Sequence, residues 1–192
     1  GSTGTATFCF NNPNILDIGC GSARLLEQIN SIGNYNLEYS GVDNSIGMLQ
    51  EARKNYPNCE FIHSDMINIS TNNKYNIITF IASFHHLNTL KDREDCLSNI
   101  YKIIENDGYI FMTNWALNSK INDEKYRDSI IDNSKNQFGS TDYIIKFGEY
   151  DRYYHCFDLK EIEYLSNKTG FKIIENKLFE NNKNFITILQ KK

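Results

Sequence analysis

The sequence predicts an α/β protein built on a mostly parallel sheet of seven strands, with helices on both faces and a C-terminal antiparallel hairpin. Short apolar segments alternate with helix-length segments over the first 114 residues, which is typical of parallel strands joined by helices. The first apolar segment runs directly into a glycine-containing turn. The last two apolar segments are separated by an Asn181-Asn182 turn, which indicates an antiparallel pair.

The first strand and its turn read Asn-Ile-Leu-Asp-Ile-Gly-Cys-Gly over residues 14–21. Glycine at positions 19 and 21 lets the backbone approach a ligand where a Cβ would block it. Open α/β sheets bind ligands at this carboxyl end of a strand. A dinucleotide fingerprint would require a third glycine where Arg24 stands. The turn alone is compatible with a dinucleotide or with S-adenosylmethionine.

Acidic residues follow the next two strands. The strand at residues 38–43 ends in Asp43, which can accept hydrogen bonds from ribose hydroxyls and also suits an N-cap for the helix that follows. The strand at residues 59–63 is followed by Asp65 and Met66, a carboxylate for an adenine amino group and an apolar side chain for the adenine ring.

The fourth strand, residues 75–81, runs into Ala82-Ser83-Phe84-His85-His86-Leu87. A histidine pair at a strand end is compatible with catalysis or with the satisfaction of buried backbone groups. A helix ending near residue 104 and an Asn106-Asp107-Gly108 turn precede the fifth strand, residues 109–113.

The Asp-x-Gly-x-Gly turn, the acids after strands two and three, and the His-His-Leu segment resemble the motifs of class I S-adenosylmethionine-dependent methyltransferases. The resemblance covers about residues 13–190 and implies a Rossmann-like sheet with S-adenosyl-L-methionine as cofactor. The residues that it implies for cofactor binding are Asp17, Gly19, Cys20, Gly21, Asp43, Asn44, Met48, Asp65, Met66 and Ala82.

We interpret the chain, residues 1–192, as one domain in three parts. Residues 13–114 form the cofactor-binding half and residues 115–157 a substrate-side insertion. Residues 158–192 form a closing helix, with Asp158 as N-cap and Gly170 as its stop, followed by strands at 171–175 and 185–189.

The run Arg152-Tyr153-Tyr154-His155-x-Phe157 and the Trp115-Ala116 pair resemble the eukaryotic tRNA wobble-uridine carboxymethyl methyltransferases. That family methylates the carboxylate of 5-carboxymethyluridine in tRNA. The resemblance implies Arg152, Tyr153 and His155 as catalytic residues. The substrate-binding set that it implies is His86, Trp115, Arg152, Tyr153 and Tyr154. Without the resemblance, the aromatic residues of this run would be interpreted as packing.

Two other functions remain open. The first is a small-molecule O- or N-methyltransferase, which would need a general base such as His86 or His155, whereas a carboxylate acceptor is already ionised at pH 7. The second is a non-catalytic cofactor-binding subunit that stabilises a partner.

Composition limits the cellular context and the partners. The net charge of −4 gives no indication of an overall basic surface, although lysines are frequent near the C-terminus. Five scattered cysteines form no metal-binding or disulfide pattern, which favours a reducing, cytoplasmic location without a bound metal. No apolar run reaches 18 residues and no signal peptide is evident, so we expect no membrane association. The tRNA family works with a small zinc-binding activator subunit, which we expect at the exposed edge of the third strand.

Overall fold

The computed structural model describes residues 10–192 and contains one seven-stranded sheet and one separate two-stranded sheet. The strands are β1 Asn14–Ile18, β2 Glu38–Asp43, β3 Glu60–His63, β4 Tyr75–Ile81, β5 Ile104–Trp115, β6 Thr141–Phe147, β7 Tyr150–Cys156, β8 Phe171–Leu178 and β9 Asn184–Lys191. The helices are α1 Arg24–Ile32, α2 Ile46–Asn55, α3 Leu90–Ile103, α4 Asp123–Tyr126 and α5 Leu159–Thr169.

The large sheet has the order β3-β2-β1-β4-β5-β9-β8. The first five strands in this order pair in parallel, while β9 pairs antiparallel with both β5 and β8. This arrangement confirms the predicted mixed sheet with its C-terminal hairpin. It also places β3 at one edge, as expected.

Helices cover both faces of the sheet because side chains alternate along each strand. Ile15 faces the cluster that contains Leu26 of α1 and Leu49 of α2. Leu16 faces the larger cluster, in which α3 and α5 pack against β4, β5 and β9, for example through Leu165. The α5 helix begins and ends as predicted: the Asp158 carboxylate accepts a hydrogen bond from the Lys160 N–H at 2.9 Å, and Gly170 adopts a left-handed φ of 92°.

Two parts of the fold differ from the sequence-based expectation. The predicted turn before the fifth strand is an irregularity inside β5, where pairing with β4 shifts register and Asp107 adopts φ 60°. The predicted insertion contains an unpredicted β6–β7 hairpin closed by Gly148, with φ 62°. The hairpin lies against the 3-10 turn Phe84–His86 that follows β4. No helix within residues 10–192 is long and apolar enough to cross a membrane.

Candidate active site

A cavity of about 680 Å³ opens at the carboxyl ends of the parallel strands, within the range of roughly 300–1,000 Å³ that suits small-molecule and cofactor ligands. Most of the predicted cofactor-binding residues line this cavity. They are Gly19, Gly21, Asp43, Asn44, Met48, Asp65, Met66 and Ala82. The residues from the second half of the chain that line the cavity are Arg152 and Tyr153, and His86 lies beside them.

The glycine turn is held against the end of β2. The N–H groups of Gly19 and Cys20 donate to the carbonyl oxygen of Val42 at 2.8 and 3.0 Å. Gly19 has a left-handed φ of 78°, and a Cβ there would lie 2.5 Å from the Cβ of Ser83. Glycine is therefore required at this position by both backbone conformation and space, and the chain passes close beneath the cavity.

The Asp43 carboxylate connects the end of β2 to the glycine turn. Its Oδ2 accepts from the Gly21 N–H and its Oδ1 accepts from the Ser45 N–H, both at 2.8 Å. Each oxygen keeps a second lone pair for a ligand hydroxyl. The N-cap of α2 is Ser45 and not Asp43, because the Ser45 hydroxyl accepts from the Met48 N–H at 3.4 Å. Asp43 is thus left to face the cavity.

Asp17 and Cys20, both predicted to bind the cofactor, have side chains outside the cavity lining. The Asp17 carboxylate is 2% exposed and accepts from the hydroxyls of Tyr39 and Thr79, both at 2.7 Å. Burial raises the pKa of Asp17, partly opposed by these two hydrogen bonds. The Cys20 side chain packs in the core beside Gly41, and burial raises the pKa of its thiol to about 12. Both side chains therefore lie on the side of the glycine turn that faces away from the cavity lining, where they pack in the protein interior.

Asp65 lines the cavity, but its carboxylate also organises the loop that follows β3. Its Oδ1 accepts from the N–H groups of Ile67 and Asn68 at 2.8 Å, and its Oδ2 accepts from the Asn68 side chain at 3.0 Å. Hydrogen bonds from Asn68 lower the pKa of Asp65. The adenine contact predicted for Asp65 therefore depends on the remaining acceptor sites of this carboxylate.

His86 contributes a neutral imidazole to the cavity wall. Burial lowers its pKa, although a hydrogen bond to the Tyr153 carbonyl oxygen partly opposes this. That bond joins Nδ1 to the carbonyl oxygen at 3.0 Å, and because a carbonyl only accepts, Nδ1 carries the proton. The Nε2 atom of His86 is then an unprotonated acceptor. The neighbouring His85 is buried, and its Nδ1 accepts from the Trp115 N–H at 3.0 Å.

Arg152 supplies the positive charge of the cavity. Among the described residues that line the cavity, it is the one arginine or lysine. Its guanidinium lies 5.1 Å from the centroid of the Phe147 ring, on the same hairpin. The next residue, Tyr153, has its hydroxyl 2.7 Å from the Asp142 carboxylate and 3.1 Å from the Asn88 carbonyl oxygen. These contacts hold β7 against the cavity.

His155, predicted as a catalytic residue, is in a buried charged cluster behind the cavity wall. Its Nδ1 lies 2.6 Å from the Asp142 carboxylate and its Nε2 lies 2.8 Å from that of Glu161. Arg93 completes the cluster, with its Nε 3.0 Å from Glu161 and its Nη1 donating to the Leu87 carbonyl oxygen. Since both ring nitrogens are engaged, His155 has none left for a substrate, and we correct its role to one of positioning Asp142 and β7.

The cluster has a defined charge state. Burial opposes protonation of His155, but its two carboxylate partners outweigh burial and raise its pKa. Burial alone would raise the pKa of Glu161, but the hydrogen bond and charge of His155 lower it to about 2. The same histidine and the Tyr153 hydroxyl lower the pKa of Asp142 against the effect of its burial. The two carboxylates, one at each ring nitrogen, therefore favour the protonated form of His155.

Trp115 and Tyr154, both predicted to bind substrate, do not line the large cavity. Their rings stack on each other at 4.8 Å with an interplanar angle of 12°. Tyr154 is 2% exposed and packs against His85 and His86, so it is a packing residue of the hairpin. Trp115 instead lines a second, smaller cavity, together with Tyr126.

Several cavity residues were missed by the sequence analysis. Ser45, Ser64 and Ser83 each line the cavity one or two residues after the end of a parallel strand. Position after a strand is therefore the signal that could have found them. The roles of Arg93 and Asp142 depend on contacts far apart in sequence and gave no local signal.

Comparisons with known proteins agree with a methyltransferase fold for this chain. Residues 15–108 match the family model described as a methyltransferase domain. The carboxy-S-adenosyl-L-methionine synthase of Staphylococcus epidermidis is 28% identical over 173 residues, covering 88% of this chain and 75% of that protein. A methyltransferase structure from Methanosarcina mazei superposes with a TM-score of 0.75 at 19% identity, covering 95% of this chain and 94% of that chain. The glycopeptide N-methyltransferase MtfA, solved with S-adenosylhomocysteine, has a TM-score of 0.69 at 13% identity, covering 99% of this chain and 85% of that chain.

Proposed function

We propose that this chain is a class I S-adenosylmethionine-dependent methyltransferase and that it esterifies the carboxymethyl group of a wobble uridine in tRNA. One observation carries the proposal: Arg152 and Tyr153 line the same cavity as the glycine turn and Asp43. A cationic side chain beside the cofactor site suits an anionic methyl acceptor. Because the segment around Arg152 resembles the wobble-uridine family, the acceptor that we propose is a carboxylate on a nucleoside.

The residues around the cavity fit S-adenosylmethionine. Asp43 can accept hydrogen bonds from the ribose hydroxyls, and the backbone of Gly19 and Gly21, which lines the cavity, suits the methionine portion. Met66 and Ile67 offer apolar surface for the adenine. When bound, the cofactor supplies an electrophilic methyl group on a sulfonium that departs as a neutral thioether.

With the cofactor bound by these residues, Arg152 and Tyr153 remain to bind the methyl acceptor. A guanidinium binds a carboxylate through two parallel hydrogen bonds, which fixes the direction of an attacking oxygen. A carboxylate is ionised at pH 7, so no residue has to remove a proton. Catalysis by this chain is therefore positioning, which can supply several kcal/mol of the barrier. The Tyr153 ring, held through its hydroxyl by Asp142, provides a wall for the uracil.

Mass spectrometry of nucleosides tests the proposal with tRNA that carries 5-carboxymethyluridine. Wild-type protein with S-adenosylmethionine should form the methyl ester. Arg152→Met should reduce turnover about 10²-fold or more, because the acceptor loses its alignment, while affinity for S-adenosylhomocysteine stays unchanged. Arg152→Lys should recover only part of the loss, since an ammonium cannot form the paired contact. Lys146→Met is the matched control, because Lys146 is exposed on the same hairpin and outside the cavity lining. Equal turnover in Arg152→Met and wild type would overturn the role of Arg152.

Similarity to the carboxy-S-adenosyl-L-methionine synthase supports a second candidate. In this second candidate function, Arg152 of this chain binds a carboxylate that belongs to the adenosyl compound itself. The methyl group of S-adenosylmethionine would exchange one proton for the carboxyl group of a carboxylic acid donor, whose carbon takes the proton, and the product would be carboxy-S-adenosyl-L-methionine. Mass spectrometry of the adenosyl product separates the two candidates, because tRNA esterification yields S-adenosylhomocysteine.

A small-molecule O- or N-methyltransferase is the third candidate, and the unprotonated Nε2 of His86 favours it. A phenol or amine acceptor would need this base. Activity on such a metabolite that is abolished in His86→Asn, together with inactivity on tRNA, would establish this function in place of esterification.

We also propose that a small zinc-binding activator subunit pairs with the exposed edge of β3. Supporting this, β3 is the terminal strand of the large sheet and carries Phe61 and Ile62 without proline or lysine. Arg53 donates to the Phe61 carbonyl oxygen at 2.8 Å, so a pairing strand would have to displace this side chain. Full activity of the isolated, monodisperse chain on tRNA would exclude a required activator.

A further inference from the structure

A second cavity of about 230 Å³ lies at the same end of the large sheet, where β5 ends and β9 begins. Its lining residues are Trp115, Asn122, Tyr126, Lys183 and Asn184. The rings of Trp115, His85 and His86 connect it to the large cavity, with centroid distances of 5.8 Å and 4.6 Å between neighbours. The two cavities are therefore close neighbours, separated by a wall of aromatic rings.

The walls of the second cavity are flat and aromatic. One face of Trp115 is covered by Tyr154, at 4.8 Å and 12°. The Tyr126 ring lies 6.5 Å from Trp115 with an interplanar angle of 35°, which leaves the two rings without a close parallel stack of their own. Both rings line the cavity and so offer it π surface. Flat π surfaces of this kind stack on unpaired bases.

The polar groups of this cavity include free hydrogen-bonding positions. The Asn122 amide nitrogen donates to the carbonyl oxygens of Ala116 and Lys183, at 2.9 and 3.3 Å. These two bonds fix the orientation of the Asn122 side chain and leave its amide oxygen as an acceptor for a ligand. Among the described residues, neither the Asn184 amide nor the Lys183 ammonium has a side-chain hydrogen bond or ion pair. An amide can read the edge of a base, and an ammonium can bind a phosphate.

Two lysines lie at or beside this cavity, although the whole chain has a net charge of −4. Lys183 is exposed at the rim, and Lys125 lies 4.9 Å from the Tyr126 ring centroid. The nearby Asp123 carboxylate is paired with Arg127 at 2.8 Å. Aromatic walls with a lysine rim suit single-stranded nucleic acid.

We propose that this second cavity binds one unpaired ribonucleotide of the RNA, adjacent to the nucleotide that receives the methyl group. The base packs against Trp115 and Tyr126, the Asn184 amide contacts its edge, and Lys183 holds the phosphate. The proposal rests on the proposed function, because it assumes an RNA substrate. The cavity of about 230 Å³ is smaller than the roughly 300 Å³ of ordinary ligand pockets, so it would hold the base and leave the phosphate outside at the exposed Lys183.

Trp115 is the only tryptophan of the chain, so its fluorescence reports on this cavity. The probe is an unmodified five-nucleotide oligouridylate, titrated without cofactor. Wild-type fluorescence should be quenched at saturating RNA. Tyr126→Ala should weaken binding about 5- to 150-fold, the value of one stacked base. Lys183→Gln, at an exposed position, should weaken binding and reduce its salt dependence. Lys177→Gln, an exposed lysine of β8 outside the cavity, should bind as the wild type does.

The outcomes separate this inference from the proposed function. Absence of quenching by RNA, or equal affinity in wild type, Tyr126→Ala and Lys183→Gln, overturns the second cavity as a nucleotide site. Quenching by S-adenosylhomocysteine in place of RNA also overturns it. Because the probe carries no carboxymethyl group, a failure of esterification leaves the fluorescence result intact. Conversely, esterification with an unchanged KM for tRNA in both variants overturns this inference alone.

Discussion

Asp43→Asn is the substitution that most directly perturbs the cofactor site. The carboxylate is bound on both oxygens, by the N–H groups of Gly21 and Ser45 at 2.8 Å. Asparagine has the same shape but only one acceptor oxygen and places an NH₂ group at the other position. That NH₂ would face either a backbone N–H or a ribose hydroxyl that needs an acceptor.

The expected loss follows from the count of hydrogen bonds. At least one hydrogen bond between a ribose hydroxyl and a charged acceptor is removed, which is worth about 1.5–3 kcal/mol. At about 1.4 kcal/mol per tenfold, the dissociation constant should rise roughly 10- to 150-fold. Rearrangement of the glycine turn around the new NH₂ would increase the loss further.

Isothermal titration calorimetry with S-adenosylhomocysteine measures this effect. Asp128→Asn is the matched control, since Asp128 lies on an exposed turn outside the cavity lining, and its affinity should equal that of the wild type. A thermal melt without ligand shows whether Asp43→Asn remains folded. Unchanged affinity in a folded Asp43→Asn variant would refute the assignment of Asp43 to the ribose.

The buried cluster gives two further predictions. Glu161→Gln should lower the free energy of unfolding by about 3–5 kcal/mol, because it leaves the Arg93 cation buried without its negatively charged partner, whereas the exposed Glu163→Gln should have little effect in the same urea titration. Stability should also depend on pH with a defined sign. The raised pKa of His155 contributes stability that is present below its ordinary pKa of 6.5 and is lost as pH rises through the raised value. The lowered pKa of Glu161 contributes stability that is present above 4.5 and is lost as pH falls toward about 2. A urea midpoint in the wild type that does not decline on the alkaline side would contradict the protonated histidine.

The cofactor half of the fold could be predicted because its signals are local. Each parallel strand is a short apolar segment, and the ligand-facing residues follow it directly, as with Gly19 and Asp43. The antiparallel C-terminal pair was likewise indicated by one turn. The role of Asp17 was harder to predict, because a carboxylate at the end of this strand can face either the cavity or the core. Hydrogen bonds from Tyr39 and Thr79, which lie on the two neighbouring strands, hold it in the core.

The second half of the chain was harder to predict, because its side chains are arranged by contacts between residues that are distant in sequence. His155 looked like a catalytic residue, yet its partners are Asp142 on the adjacent strand and Glu161 on α5. Trp115 does not line the large cavity and instead stacks on Tyr154, which is 39 residues away in the sequence. One local signal was overlooked: Gly148 between two aromatic-rich segments is typical of a tight hairpin turn.

The chemical nature of the acceptor atom is the most direct test of the proposed function. The protein is incubated with tRNA that carries 5-carboxymethyluridine and with S-adenosylmethionine labelled in its methyl group. The labelled tRNA is then treated with mild alkali, which cleaves a methyl ester but leaves methyl groups on ring nitrogens, ring carbons and ribose oxygens. Esterification predicts that the label is released as volatile methanol. Label that remains with the nucleoside after alkali would contradict a carboxylate acceptor and the role of Arg152 in holding it.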